Sequence, residues 1–165
     1  LSTVNMLDLF AGTGIMSFEA ISRGANSSRL IDNSYESIKY INQNAKSIDM
    51  LSKIKTITMD VFNYVEARDV LDFDLIFMDP PTFSNSKKMA DVLDIQRDHG
   101  ELVRLAMARL AKGGELIFSN NYRRFVLDEA LEHEFEVKNI TRETLDPDFD
   151  RNDKIHQCYI IKHKS

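Results

Sequence analysis

Short apolar runs alternate with longer stretches of helical period along this chain, an order that builds a parallel sheet flanked by helices. The runs fall at residues 4–10, 29–31, 54–59, 73–78 and 115–119, and each is predicted to be a strand. Residues 35–48 place Ile38, Ile41, Ala45 and Ile48 three or four apart. That spacing gathers them into one stripe, so the segment is expected to be a helix lying on the sheet. A longer helix is predicted over 91–110, broken by the Gly113-Gly114 pair that feeds the fifth strand. A short helix near 127–131 follows. Residues 135–140 and 157–162 alternate polar and apolar positions, which suits a closing antiparallel pair. The expected fold class is α/β: a Rossmann-like, doubly wound, mostly parallel seven-stranded sheet with an antiparallel C-terminal strand pair. The loops are expected at 82–88 and 146–154.

With 165 residues, 43% of them apolar, the chain is expected to form one domain around one core. Its 21 Lys and Arg against 26 Asp and Glu leave a net charge of −5, the wrong sign for holding nucleic acid by overall charge. Any RNA binding must therefore be local or supplied by another segment. The single cysteine, Cys158, excludes an internal disulfide and a clustered thiolate metal site, and fits a reducing cytoplasm. No apolar run reaches the ~18 residues that span a bilayer. The expected location is the cytoplasm, with no membrane partner. Leu1 leads almost at once into a strand, which reads as a domain cut from a longer polypeptide.

Candidate chemistry begins where the first strand runs into Phe10-Ala11-Gly12-Thr13-Gly14 and then a helix. Gly12 and Gly14 let the backbone approach a ligand, and the helix start offers unpaired N–H groups. Ser17 stands where the dinucleotide fingerprint needs its third glycine, which argues against a nicotinamide or flavin. Asp8, four residues before Gly12, brings a carboxylate to the same place. It would attract the ammonium and sulfonium of S-adenosylmethionine and repel a pyrophosphate. Asp32, with Asn33, ends the second strand, where a carboxylate can accept from both ribose hydroxyls; its other reading is a charge ahead of the next helix. Asp60 ends the third strand and can accept from an adenine amino group, with Val61 and Phe62 packed beside the ring, or can cap the next helix.

The fourth strand exits through Asp79-Pro80-Pro81-Thr82-Phe83. Two prolines cannot continue a ladder, so they fix a rigid exit at the carboxyl edge of the sheet, the edge where open α/β sheets bind ligands. Asp79 stands there as an acid, with Phe83 available to stack on a flat base.

With LDLFAGTG before the first helix and DPPT after the fourth strand, the chain resembles the class I S-adenosylmethionine-dependent methyltransferases. DPPTFSNSKKM from Asp79, DIQRDH at 94–99, FSNN at 118–121 and DFDRNDKIHQCY at 148–159 narrow the resemblance. They are similar to the C-terminal half of the fused bacterial 23S rRNA methyltransferases of RlmKL type. The resemblance implies methylation of guanosine N7 in 23S rRNA, a catalytic domain spanning 1–165, and RNA-binding and second methyltransferase domains upstream in the same polypeptide. It implies further that Arg97, Asp98, Asn152 and His156 shape the target pocket. LDLFAGTGIMSFEAISRGA departs toward the small 16S rRNA guanine-N2 enzymes.

Guanine N7 has a free lone pair and no proton, so positioning suffices for its methylation and Asp79 is expected to orient the base. Enzymes that methylate exocyclic amines carry an aromatic as the fourth motif residue; here that residue is Thr82 and the aromatic is Phe83, which leans toward N7. A cytosine-C5 enzyme would need a cysteine after the fifth strand, where this chain has Asn120 and Asn121; Cys158 reads as a buried small hydrophobe. Lys87, Lys88, Arg97, Arg123, Arg124 and Arg151 are candidates for phosphate contacts at the same edge. His156 is a pocket residue or a strand histidine, and His99, His133 and His163 show no metal-ligand spacing, so no metal is expected. Guanine N2, adenine N6 and a catalytically silent cofactor-binding scaffold stay open as other readings.

Overall fold

The computed structural model describes residues 3–67, 71–85, 92–144 and 156–165, with the side chains of 83–85 and 92 outside that description. Seven strands form one sheet: β1 (Asn5–Leu9), β2 (Ser27–Asp32), β3 (Ile54–Thr58), β4 (Phe73–Met78), β7 (Leu110–Asn120), β8 (Glu136–Asn139) and β9 (Gln157–Lys162). Their spatial order is β3-β2-β1-β4-β7-β9-β8. All neighbours from β3 to β7 run parallel, and β9 joins β7 and β8 antiparallel. The expected fold class is the one observed. The sheet grows outward in both directions from β1 and β4, so the crevice above their carboxyl ends is where this topology places a ligand.

β1 is central, and every residue from Met6 to Leu9 is buried. Burial on both faces is what a middle parallel strand requires. Leu7 and Leu9 join the larger core, together with Val61 and Phe62 of α3 (Val61–Glu66) and Leu102 and Ala106 of α4 (Ile95–Met107). The opposite face receives α1 (Ile15–Ser22) and α2 (Tyr35–Ser47), with Leu30, Ile38 and Ile41 as a smaller cluster. Ile38, Ile41 and Ala45 form the buried stripe of α2 as its spacing predicts. Ile48 instead caps the helix and is 47% exposed. The short helix expected at 127–131 is shifted to α5 (Glu129–Glu134), because Asp128 accepts Ala130 N and fixes the start. A four-residue α6 (Thr141–Thr144) follows β8.

The structure departs from the sequence reading at both ends of the fourth helix. The helix expected over 91–110 covers only Ile95–Met107, because Asp94 caps it through Gln96 N and Arg97 N. Val92–Asp94 before it is a strand, β6, paired antiparallel with β5 (Phe83–Asn85). At the other end the chain enters β7 already at Leu110, so the glycine pair lies inside a strand rather than at a helix end. Phe73 faces Leu110 and Leu75 faces Glu115, so β7 advances five residues while β4 advances two. The surplus forms a bulge. Gly113 takes φ +85, and a Cβ on Gly114 would lie 2.7 Å from the Asp74 carbonyl oxygen.

The two glycines therefore fail differently when substituted. Gly113→Ala meets open space and carries only its left-handed backbone, a loss of about 1–2 kcal/mol. Gly114→Ala collides with backbone and is expected to lose about 3 kcal/mol or more. Denaturant unfolding of the two variants checks the order, and the reverse order would refute the bulge.

Candidate functional site

Between β1 and α1 the backbone turns through left-handed conformations at Phe10 (φ 59), Gly12 (φ 57) and Gly14 (φ 76). Ala11 N donates to Ile31 O at 3.0 Å, and Gly14 N donates to Ala11 O at 2.8 Å. A Cβ on Gly14 would press on Leu30, Ile41 and Phe18 at 3.1–3.2 Å, so packing as well as φ requires glycine there. At Gly12 a Cβ would find nothing nearer than Phe10 O at 4.0 Å. Gly12 thus serves the turn, and the space beside it is open to a ligand. Thr13, next along, is exposed.

Asp32 fixes this loop. Its Oδ2 accepts Gly12 N and its Oδ1 accepts Ser34 N, each at 2.9 Å. Ser34 in turn caps α2 by accepting Ser37 N. Ser34 rather than Asp32 is thus the N-cap of α2, while Asp32 braces both the glycine loop and the turn into that helix. Asn33 beside it is exposed. Met59 N donates to Asp32 O, which brings Asp60 alongside. Asp60 caps α3 through Asn63 N. Val61 and Phe62 are each 3% exposed and lie in the core, so what they offer above Asp60 is a packed floor.

Asp8 is 1% exposed. Its Oδ2 accepts Ser17 Oγ at 2.6 Å, and Ser17 Oγ lies 2.7 Å from Ser28 Oγ. Burial pushes its carboxyl up to about 7; hydrogen bonds from Ser17 restrain the rise, and the charges of Asp32 and Asp79 add to it. None of these influences is a cation. Two other acids at strand ends thus act on Asp8, which has no countercharge among the described residues.

Asp79 stands at the end of β4, and Ser119 Oγ of β7 donates to its Oδ1 at 3.0 Å. Desolvation raises its carboxyl, while Ser119 and the nearby His156 draw it back down. Pro80 is buried, Pro81 is exposed, and Thr82 O accepts Ile95 N at 3.2 Å, tying the proline exit to the start of α4. Phe83 lies in β5, with its side chain outside the described residues. Asn120 is fully buried: Oδ1 accepts Tyr122 N at 3.1 Å, while Nδ2 has no partner among the described residues. Asn121, Arg123 and Arg124 are exposed just beyond it. Arg97 departs from the expected phosphate contact by forking onto Asp98, at 2.8 and 2.9 Å. Lys87, Lys88, Arg151 and Asn152 lie outside the described residues. Cys158 is buried, and desolvation followed by the field of Asp79 pushes its thiol up to about 11, so it is no nucleophile at neutral pH.

The family described as conserved hypothetical protein 95 matches residues 1–121. The chain belongs to this family. Over 98% of its length it is also 62% identical to the ribosomal RNA large subunit methyltransferase K/L of Marinomonas sp. (strain MWYL1). It is 47% identical over 96% of its length to the protein of the same name from Marinobacter nauticus. These blocks of identity are the resemblance read from the sequence. The chain spans about 22% of the length of both relatives. Among solved structures, a SAM-dependent methyltransferase from Agrobacterium tumefaciens superposes with a TM-score of 0.75 at 16% identity, over 98% of this chain and 56% of the other. A ribosomal protein L11 methylase from Lactobacillus delbrueckii subsp. bulgaricus gives 0.69 at 19%, over 100% and 72%. This chain shares its fold with these methyltransferases.

Sequence reasoning missed Ser28 and Ser119. Ser28 stands in no motif, Ser119 lies in the FSNN block without being singled out there, and each meets its partner, Ser17 or Asp79, only when neighbouring elements align.

The fold favours protonated Asp8, so the folded chain holds a proton that the unfolded chain has released above about pH 4. Stability is therefore greatest at low pH with respect to this group and declines as pH rises through 7. Asp8→Asn removes that decline: its melting temperature relative to wild type should rise by roughly 5 °C between pH 5 and pH 8. A constant difference across that range would exclude an uncompensated Asp8.

Proposed function

We propose that this chain is the S-adenosylmethionine-binding catalytic domain of a longer RNA methyltransferase, and that it methylates N7 of a guanosine in 23S rRNA. The observation that carries the reading is Asp8, a buried carboxylate with no cation beside it among the described residues, beneath a glycine loop left open at Gly12. That donor set suits a positively charged ligand with ribose hydroxyls and disfavours a diphosphate. Asp8 balances the charge of the ligand, the free lone pairs of Asp32 accept from the ribose hydroxyls, and Asp60 accepts from the adenine amino group. When bound, the sulfonium supplies an electrophilic methyl carbon for in-line displacement.

The rest is positioning. Asp79, held by Ser119, accepts the N1 and N2 hydrogens of a guanine drawn out of the stack, and Pro80, Pro81 and Thr82 fix the backbone that carries it. N7 then needs no base, because it loses no proton. The name these relatives carry, ribosomal RNA large subunit methyltransferase K/L, supports ribosomal RNA as the substrate. The net charge of −5 supports a division of labour in which upstream segments of the polypeptide supply most of the RNA affinity, in the cytoplasm.

The test is methyl incorporation into unmodified 23S rRNA, followed by mass spectrometry of the modified nucleoside. Methyl on guanosine N7 is expected; methyl on guanine N2 or adenine N6 would overturn the assigned atom, and binding without transfer would favour a scaffold. Asp79→Ala should lower transfer at least ~100-fold while S-adenosylmethionine still binds.

A further inference from the structure

Gln96 and His99, in the block whose Arg97 and Asp98 the sequence resemblance assigns to the target pocket, direct their side chains onto the polypeptide that follows β7. Gln96 Nε2 donates to Val126 O at 2.8 Å, and Gln96 Oε1 accepts Val126 N at 2.9 Å, so one amide engages both backbone groups of a single residue. His99 Nε2 accepts Asp128 N at 2.9 Å, which leaves the proton on Nδ1, toward the carbonyls of Ile95 and Gln96. Gln157 of β9 donates to Phe125 O at 2.9 Å. The Phe125 ring packs edge-on against His99 (4.6 Å) and Phe118 (5.6 Å). Segment 121–128 contains no strand or helix, yet α4, β7 and β9 all hold it. Ordering such a segment costs conformational entropy, and a plain surface connection needs no such bracing.

What the brace presents is a pair of cations. Arg123 and Arg124 are exposed and form no ion pair among the described residues. The segment leaves β7 directly after Ser119 and Asn120, and Ser119 holds Asp79. Its anchor Gln157 pairs in the sheet with Asn120, one residue from Ser119. The two arginines therefore follow, four and five residues on, the serine that holds Asp79.

We propose that segment 121–128 is a preformed clamp for the RNA backbone beside the target nucleotide, with Arg123 and Arg124 as its phosphate contacts and Gln96 and His99 as the positioning residues that hold it rigid. The proposal rests on the reading of the chain as an RNA methyltransferase. Two protonated guanidinium groups fixed at one rim can neutralise two phosphates without the entropy loss of ordering a mobile loop.

Binding of a 23S rRNA fragment by the chain, titrated over a range of salt, tests it. Arg123→Gln/Arg124→Gln replaces exposed side chains and should make the slope of log K against log salt shallower by about 1.4–1.8, with S-adenosylmethionine affinity unchanged. Gln96→Leu keeps both charges but releases the segment, so it should raise the KM for RNA about tenfold, more than it changes kcat, and keep the wild-type salt slope. A wild-type slope in the double arginine variant, from a chain that methylates RNA, overturns the clamp alone. A wild-type KM in Gln96→Leu overturns the positioning role. A wild-type chain that neither binds nor methylates RNA overturns the clamp together with the reading beneath it.

Discussion

A carboxylate with no countercharge among the described residues organises this protein. Asp8 sits 1% exposed in the central strand, and its ionisation is opposed by burial and by two other acids. Everything near it moderates that opposition without removing it. Ser17 donates to it, Ser28 backs Ser17, and the glycine loop above is fixed to Asp32 rather than left to fold down as a lid. Ser17 is thus more than an absent third glycine: a hydroxyl is needed where the dinucleotide fold needs bare backbone. The resulting crevice favours a cation, and the sheet topology sets its place above β1 and β4.

The second organising constraint lies across the sheet, where α4 is built as a bracket. Asp94 caps the helix, Asp98 holds Arg97, and Gln96 and His99 reach the chain beyond β7. One turn of helix therefore fixes three things: its own start, the Asp79 exit through Thr82, and the rim segment carrying Arg123 and Arg124. Burial holds His99 below its ordinary pKa, against the pull of the Ile95 and Gln96 carbonyls, so the bracket rests on a neutral ring.

The sheet was legible from the chain wherever apolar runs were long. Val4 through Phe10 and Phe73 through Met78 declare themselves because a parallel strand is buried on both sides. The acids at positions 32 and 79 were legible because each closes such a run, and Asp8 because it interrupts one. Leu110 was not: Leu-Ala-Lys after a helix looks like more helix, and only its pairing with Phe73 makes it strand. The β5–β6 hairpin, three residues on each side, is too short to show a period. Ser28, Ser119 and the Gln96–Val126 clasp depend on partners 11 to 40 positions away, and local pattern carries no trace of such distances.

The bulge at Gly113 and Gly114 has a consequence for variation. By absorbing surplus chain at the amino edge, it uncouples the end of α4 from the alignment of β7 farther along. From Leu75 onward β4 and β7 keep step, and Ser119 arrives opposite Asp79 whatever happens below. Insertions or deletions near residue 112 can then accumulate as slack in that kink, leaving the reactive edge in register, so this is the end of the strand where relatives are free to differ in length.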